Sequence, residues 1–396
     1  MKAVINGKLV FPEEIREGNL LMDGGKIIAS GDVCVPEGAE IIDAGGLYVG
    51  PGLVDEHCHG YRQFGEAVDI TEDVRALALA HLKHGTTTIT PSAGYSLPKE
   101  KFLHILKDAD EVITAGDTTV AGLHFEGPFT NPLHGSNSRD TWSFSEDLCK
   151  EIFDKAKGHV IHCTYAPEMP HGKRMEQVLK EYGVIADIGH TRSDPENIYR
   201  AVENGARIVT HLFDAMGNFR GDDHTPFSLT GDPQECVSDI VLSIPGLYYE
   251  LICDSRCAHV APVSIRQTYR IAGEDHVIVI SDSTCHKDDS LNEKDYPPED
   301  VRSAPDLNFN LDNELSGSRL TVSVSARNFM KHTGCGIRVA FKVASSNPAR
   351  ALGLYGRVGS IHAGKDANLV FVDESFTVKR IFFRGNEVEE VRNIEI

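Results

Sequence analysis

Histidines and carboxylates recur at one kind of place in this chain. His57 and His59 close the β-rich run YVGPGLVDEH, and Glu126 closes TVAGLHFEG. His190 comes at the end of GVIADIGHT, His211 at the end of ARIVTHLFD, and Asp282 at the end of HVIVISD. On a strand, side chains alternate with period two, so His57 and His59 share one face and Cys58 points the other way, into packing. Imidazole nitrogens and carboxylate oxygens together suit a divalent ion, zinc first, with iron or another transition metal as alternatives.

Something must bring these scattered positions together. Besides the five runs above, TTTITPS, HVIHCTYAPE and LYYELICD have the same texture, making eight β-rich runs. Amphipathic stretches such as DVRALALAHLKHG, SEDLCKEIFDKAKG, GKRMEQVLKEYG and DPENIYRAVENGA lie between them. The last opens with Asp194 as N-cap and Pro195 at the first helical position. Alternating strands and helices predict an α/β fold, a (β/α)8 barrel of the TIM type. In such a barrel every strand end opens on the same C-terminal mouth, which places all six residues at one rim.

The two ends of the chain read differently, as short hairpin strands with glycine turns. A lone hairpin is only marginally stable, so both ends are expected to pair into one small β-sandwich domain, residues 1–48 and 355–396, beside a barrel of residues 49–354. The segment from Ser283 to Ser316, rich in Asp, Pro and Asn, reads as an irregular loop.

Composition narrows the class. The chain has 396 residues, 41% hydrophobic and 25% charged, which excludes a disordered or fibrous chain. Its net charge of −20 argues against nucleic acid and anionic membrane as partners. No apolar run approaches the roughly 20 residues of a membrane span, and the first residues lack the apolar core of a signal peptide. The nine cysteines form no Cys-x-x-Cys pair, as expected of reduced thiols in a cytoplasmic protein.

At these residues the sequence resembles the amidohydrolase superfamily, and within it the N-acetylglucosamine-6-phosphate deacetylases. The matching strings are PGLVDEHCHG, HGTTTITP, HFEGPFTNP, APE, GHT, THLFDAM, ISDS, LSGSRLT, SNPARALG and GSIHAGKDANLVFVD, in the family's order across nearly the whole chain. The resemblance implies a metal-dependent deacetylase of a small acetylamino sugar, usually a homodimer. It implies Glu126, His190 and His211 as principal metal ligands, His57 and His59 as ligands of a second ion in binuclear members, and Asp282 as general base. Run four, HVIHCTYAPE, has no lysine, unlike branches that bridge two metals with a carboxylated one.

Departures cluster where substrate is recognised. Asn137 stands where the family has a carbonyl-contacting histidine, with His134 as a shifted alternative. Asp214-Ala215 replaces Asn-Ala after the strand-six histidine. Arg220 is the out-of-register counterpart of a phosphate-gripping arginine, with Arg139 and Arg256 as other candidate cations. His259 is the counterpart of a histidine that reaches across to the partner subunit, and Ser316 lies in the matching LSGS string. An added Asp near a phosphate oxygen costs about 1 kcal/mol or more per close pair. Three functions therefore stand at this point: deacetylation of N-acetylglucosamine 6-phosphate, hydrolysis of a different N-acyl substrate by the same machinery, and a non-catalytic barrel scaffold.

Overall fold

The computed structural model describes residues 1–94, 96–135, 142–217, 236–285, 296–310 and 312–395. Each of the eight β-rich runs contains a strand: β1 (Leu53–Asp55), β2 (Thr86–Ile89), β3 (Leu123–Glu126), β4 (Val160–Tyr165), β5 (Ile185–Ile188), β6 (Ala206–Val209), β7 (Tyr248–Ile252) and β8 (Val277–Ile280). After each comes a helix: α1 (Val74–Leu82), α2 (Lys99–Ala115), α3 (Glu146–Lys155), α4 (Gly172–Tyr182), α5 (Pro195–Glu203), α6 (Val237–Leu242), α7 (Pro262–Ala272) and α8 (Val322–Thr333). Asp194 caps α5 by accepting from Asn197 N at 2.9 Å, with Pro195 in the first turn.

The strands are parallel and pair in chain order, β1 with β2 and then, from the Ser92–Gly94 extension of β2 onward, through β8. The ring closes where Asp282 N donates to His57 O at 2.9 Å and His59 N to Ser283 O at 2.7 Å. Side chains on one parity of these strands, such as Phe125, Tyr165, Ile188 and Tyr249, pack outward against Phe102, Phe153, Val178 and Ile198 of the helices. Each such apolar side chain contributes about 1.5–3 kcal/mol on burial. The opposite parity is polar and just as dry: His124, His162, Thr164, Asp187, Thr210 and Glu250 are all fully buried inside the barrel.

Strands from both termini form a single eight-stranded sheet. Its seam is antiparallel, Leu369–Val372 against Tyr48–Pro51, with Val370 opposite Gly50. A Cβ at Gly50 would lie 2.4 Å from the Phe341 ring, so only glycine lets the sheet sit against the segment that follows α8.

The expectation of an irregular loop from Ser283 to Ser316 needs correcting. Residues 286–295 lie outside the described residues, but Leu307–Phe309 and Leu315–Ser318 form an antiparallel hairpin. It is held because its second strand has a partner in the barrel: Ser318 N donates to Asp282 O at 2.7 Å and Thr284 N to Ser318 O at 2.9 Å. Among the described residues no helix is long and apolar enough to cross a membrane.

Candidate metal centre and active site

The site is built by what happens just beyond the strand ends. His190, His211 and Asp282 all have positive φ, between +27° and +47°. That left-handed conformation is uncommon and costly for residues with a Cβ. Here it breaks the strand and turns three side chains towards the barrel axis.

The structure brings His57, His59, Glu126, His190, His211 and Asp282 together. Glu126 is central. Its Oε1 lies 2.8 Å from His190 Nε2, 3.1 Å from His211 Nε2 and 3.4 Å from His57 Nε2, and its Oε2 lies 3.1 Å from His59 Nε2. Asp282 Oδ1 is 3.6 Å from Nε2 of both His57 and His59. The imidazoles face one another as well, His190 to His211 at 3.0 Å and His57 to His59 at 3.3 Å between Nε2 atoms.

The far side of each ring decides what this means. Nδ1 of His190 faces His134 O at 2.9 Å, that of His211 faces Asp214 O at 3.1 Å, and that of His59 faces Ser92 O at 2.9 Å. Backbone carbonyls only accept, so each Nδ1 carries a proton; in the neutral ring Nε2 then presents a lone pair, and in the charged ring it donates to a carboxylate. His57 Nδ1 faces the carboxylate of Glu250 at 3.2 Å, with the same consequence. With the rings neutral, four Nε2 lone pairs and two carboxylates converge on one point. That arrangement calls for positive charge, from ring protons or from a bound cation, and the donor set fits a divalent ion held by nitrogen and oxygen.

The local field agrees. Burial works against charge on His57 and His211, yet Asp282 and Glu126 hold His57 well above the ordinary imidazole range. Glu126 holds His211 up to about 9. Burial would raise Glu126, but His190, His59 and His57 keep it well below the usual carboxylate range. The site draws positive charge.

Two other buried clusters could offer three ligand atoms each, and in both the side chains also meet hydroxyls. His124 and His162 stack at 4.1 Å. His124 lies between the hydroxyls of Ser92 and Thr164, while His162 Nδ1 meets Asp187 at 2.6 Å. Asp55 meets the Ser281 hydroxyl at 2.6 Å, and His81 lies near the Ser283 hydroxyl. Hydroxyls can donate, so much of each cluster is satisfied without an ion, while His81 Nδ1 and Asp187 Oδ1 have no hydrogen-bond partner.

Of the residues expected to bind substrate, Asn137 and Arg220 lie outside the described residues, as does Arg139. His134 contributes its carbonyl to His190. Ala215 sits in the turn after His211 at φ +49°, and its carbonyl accepts from Thr191 N. Asp214 lies beside it; burial pushes its carboxyl up to about 7 against the pull of His259 and His211, and its Oδ2 has no hydrogen-bond partner. His259 is engaged within its own chain, Nδ1 on Asp254 at 3.0 Å and Nε2 on Gly317 O at 3.2 Å. Both partners are acceptors, and against the effect of burial Asp254 and Asp214 raise its pKa, which favours the charged ring. Ser316 is buried on the hairpin, its carbonyl accepting from Asn308 at 2.9 Å. Arg256 turns outward to Pro298 O.

The model of the Amidohydrolase family matches residues 48–388, which spans the barrel and every residue of this rim. The chain belongs to the amidohydrolase family. Among similar amidohydrolases, the N-acetylglucosamine-6-phosphate deacetylase of Bacillus subtilis is 28% identical, over 94% of this chain and 93% of the relative. The enzyme of the same name from Bos taurus is also 28% identical, over 88% of this chain and 86% of the relative. Among solved amidohydrolase structures, that of the Pasteurella multocida N-acetylglucosamine-6-phosphate deacetylase has a TM-score of 0.82 at 24% identity. It covers 98% of this chain and 99% of its own. That likeness is one of fold, barrel and terminal sheet together.

Sequence reasoning missed the polar layer beneath the rim: His124, His162, Asp187 and Glu250. Its signal was present as parity. His124 is two residues before Glu126 on β3, so period two already placed it inward.

Proposed function

We propose that this amidohydrolase removes the acetyl group from an N-acetyl amino sugar, with N-acetylglucosamine 6-phosphate as its simplest substrate. The products would be glucosamine 6-phosphate and acetate. The chain's family makes it a metal-dependent hydrolase of carbon–nitrogen bonds. The observation that carries the reading is the convergence of four Nε2 lone pairs on Glu126 and Asp282. The names and extents of the relatives support the acetylamino sugar.

In this reading Glu126, His190 and His211 hold the principal ion, zinc being the first candidate, and His57 and His59 serve a second. A divalent ion bound there supplies Lewis acidity, polarising the amide carbonyl and making an adjacent water acidic near neutral pH. Asp282 does the proton work. It takes a proton as water oxygen bonds to the acyl carbon and returns it to the nitrogen as the carbon–nitrogen bond breaks. Without that proton the amine is a poor leaving group. The hairpin strand Leu315–Ser318 pins the Asp282 backbone from one side and the His57 carbonyl pins it from the other, which fixes the carboxylate before substrate arrives.

The same proposal places the protein in the cytoplasm, supported by nine cysteines with no disulfide among them. It makes the protein a homodimer, and divides the chain into residues 1–48 with 355–396 and residues 49–354. The membership of both termini in one sheet supports that division.

One observation favours a second reading, hydrolysis of an unphosphorylated or otherwise different N-acyl compound. The unpartnered carboxyl oxygen of Asp214 lies beside His211, where it would repel a phosphate dianion. Acetate release from N-acetylglucosamine 6-phosphate and from N-acetylglucosamine, compared with the metal-replete protein, separates the two. Preference for the phosphate ester is the expected result. Equal or faster turnover of the plain sugar would remove the phosphate from the proposal, and no turnover of either would move it to another acyl substrate.

A further inference from the structure

We propose that Glu250 is a positioning residue for the metal centre, setting the orientation and tautomer of His57 and, through it, the site's affinity for a divalent ion. The inference rests on reading His57 as a ligand.

Glu250 lies on β7, fully buried, and touches no substrate-facing surface. Its Oε2 accepts from His57 Nδ1 at 3.2 Å and from the backbone N of His211 at 3.0 Å. One carboxylate oxygen thus ties together residues that follow β1 and β6, on opposite sides of Glu126. His57 is also the residue shared by both ligand groups at the rim, His57/His59/Asp282 and His57/Glu126/His211. A turned His57 ring would spoil both at once.

The four imidazoles are not held alike. His59, His190 and His211 are oriented by backbone carbonyls, which no side-chain change removes. His57 is oriented by a side chain. An ionised carboxylate is a stronger acceptor than a carbonyl. A carboxylate behind a ligating imidazole fixes its ring and raises its basicity, and losing such a partner weakens metal binding by about 10–100-fold.

The test is the affinity of apoprotein for Zn2+, measured by competition with a chromophoric chelator. Glu250→Met is expected to raise the Kd by about 10–100-fold. Glu250→Gln, which keeps an oxygen to accept from both donors, is expected to recover most of that loss. In a His57→Ala background the Met substitution should cost clearly less, only the part that passes through the His211 backbone N, because no ring remains to orient. Wild-type affinity in Glu250→Met, or an equal loss in both backgrounds, would overturn the inference, since a merely structural role acts in both. Should Glu250→Met fail to fold by circular dichroism, Glu250→Asp, one methylene shorter, is read in its place against the same outcomes. Wild-type protein that takes up no Zn2+ overturns the metal reading as well; normal uptake with an insensitive Glu250 overturns this inference alone.

Discussion

Glu126 Oε1 and His190 Nε2 lie 2.8 Å apart at the barrel mouth, and the other nitrogen of that imidazole is already spent on His134 O. With the ring neutral, an acceptor therefore faces an acceptor. The same relationship repeats for His211 and His59, and imidazole nitrogens grouped with carboxylates fit a cation site.

In the proposed mechanism Asp282 is the carboxylate that moves the proton. Asp282→Asn should lower kcat for deacetylation by about 10²–10⁴-fold, the usual worth of a general acid–base group. Steady-state kinetics on metal-replete protein reads this, and a loss of less than tenfold would strip Asp282 of the role.

In the proposed reading Asp214 bears on specificity. Asp214→Asn removes the carboxylate charge, so turnover of the 6-phosphate relative to the plain sugar should rise about fivefold, equivalent to about 1 kcal/mol of relieved repulsion. A ratio of kcat/KM values that stays put would show that Asp214 does not face the phosphate end.

The buried pair beneath the rim is a matter of stability. His162 Nδ1 meets Asp187 at 2.6 Å with both residues fully buried. Asp187→Ala should cost about 3 kcal/mol by leaving a buried donor unpaired, while the metal content of the folded protein stays unchanged. Urea unfolding alongside elemental analysis checks both halves; lost metal with intact stability would reverse the assignment.

His84 predicts acid sensitivity. It is buried with Nε2 2.8 Å from the Tyr61 hydroxyl, and burial pushes its pKa down from 6.5 to about 3. Above pH 6.5 both folded and unfolded chains hold it neutral. As pH falls from 6.5 towards 3, the unfolded chain takes up a proton that the folded chain refuses, so stability drops by up to about 1.4 kcal/mol per unit. His84→Gln should flatten the decline in Tm across that window. An unchanged slope would mean that other groups carry the acid transition.

Much of this was legible in the chain. Apolar runs such as HVIVISD stand out as strands because an uninterrupted apolar stretch ends abruptly in polar residues, and a parallel strand buried on both faces needs that pattern. The rim residues were legible because they come at those breaks. His124, His162, Asp187 and Glu250 were not, because each sits inside a run whose apolar neighbours set its character; only strand parity reveals that they point inward. The Leu307–Phe309 and Leu315–Ser318 hairpin was hidden for a different reason. Its strands are too short to have a pattern of their own, and they exist because Ser318 finds Asp282.

The most direct test of the account is the metal content of purified protein after reconstitution and removal of loosely held ions. Wild type should retain about one divalent ion or more per chain, and a Glu126→Gln variant that still folds should retain almost none. A wild-type protein that keeps no divalent ion, or a Glu126→Gln protein that keeps the full amount, would contradict it.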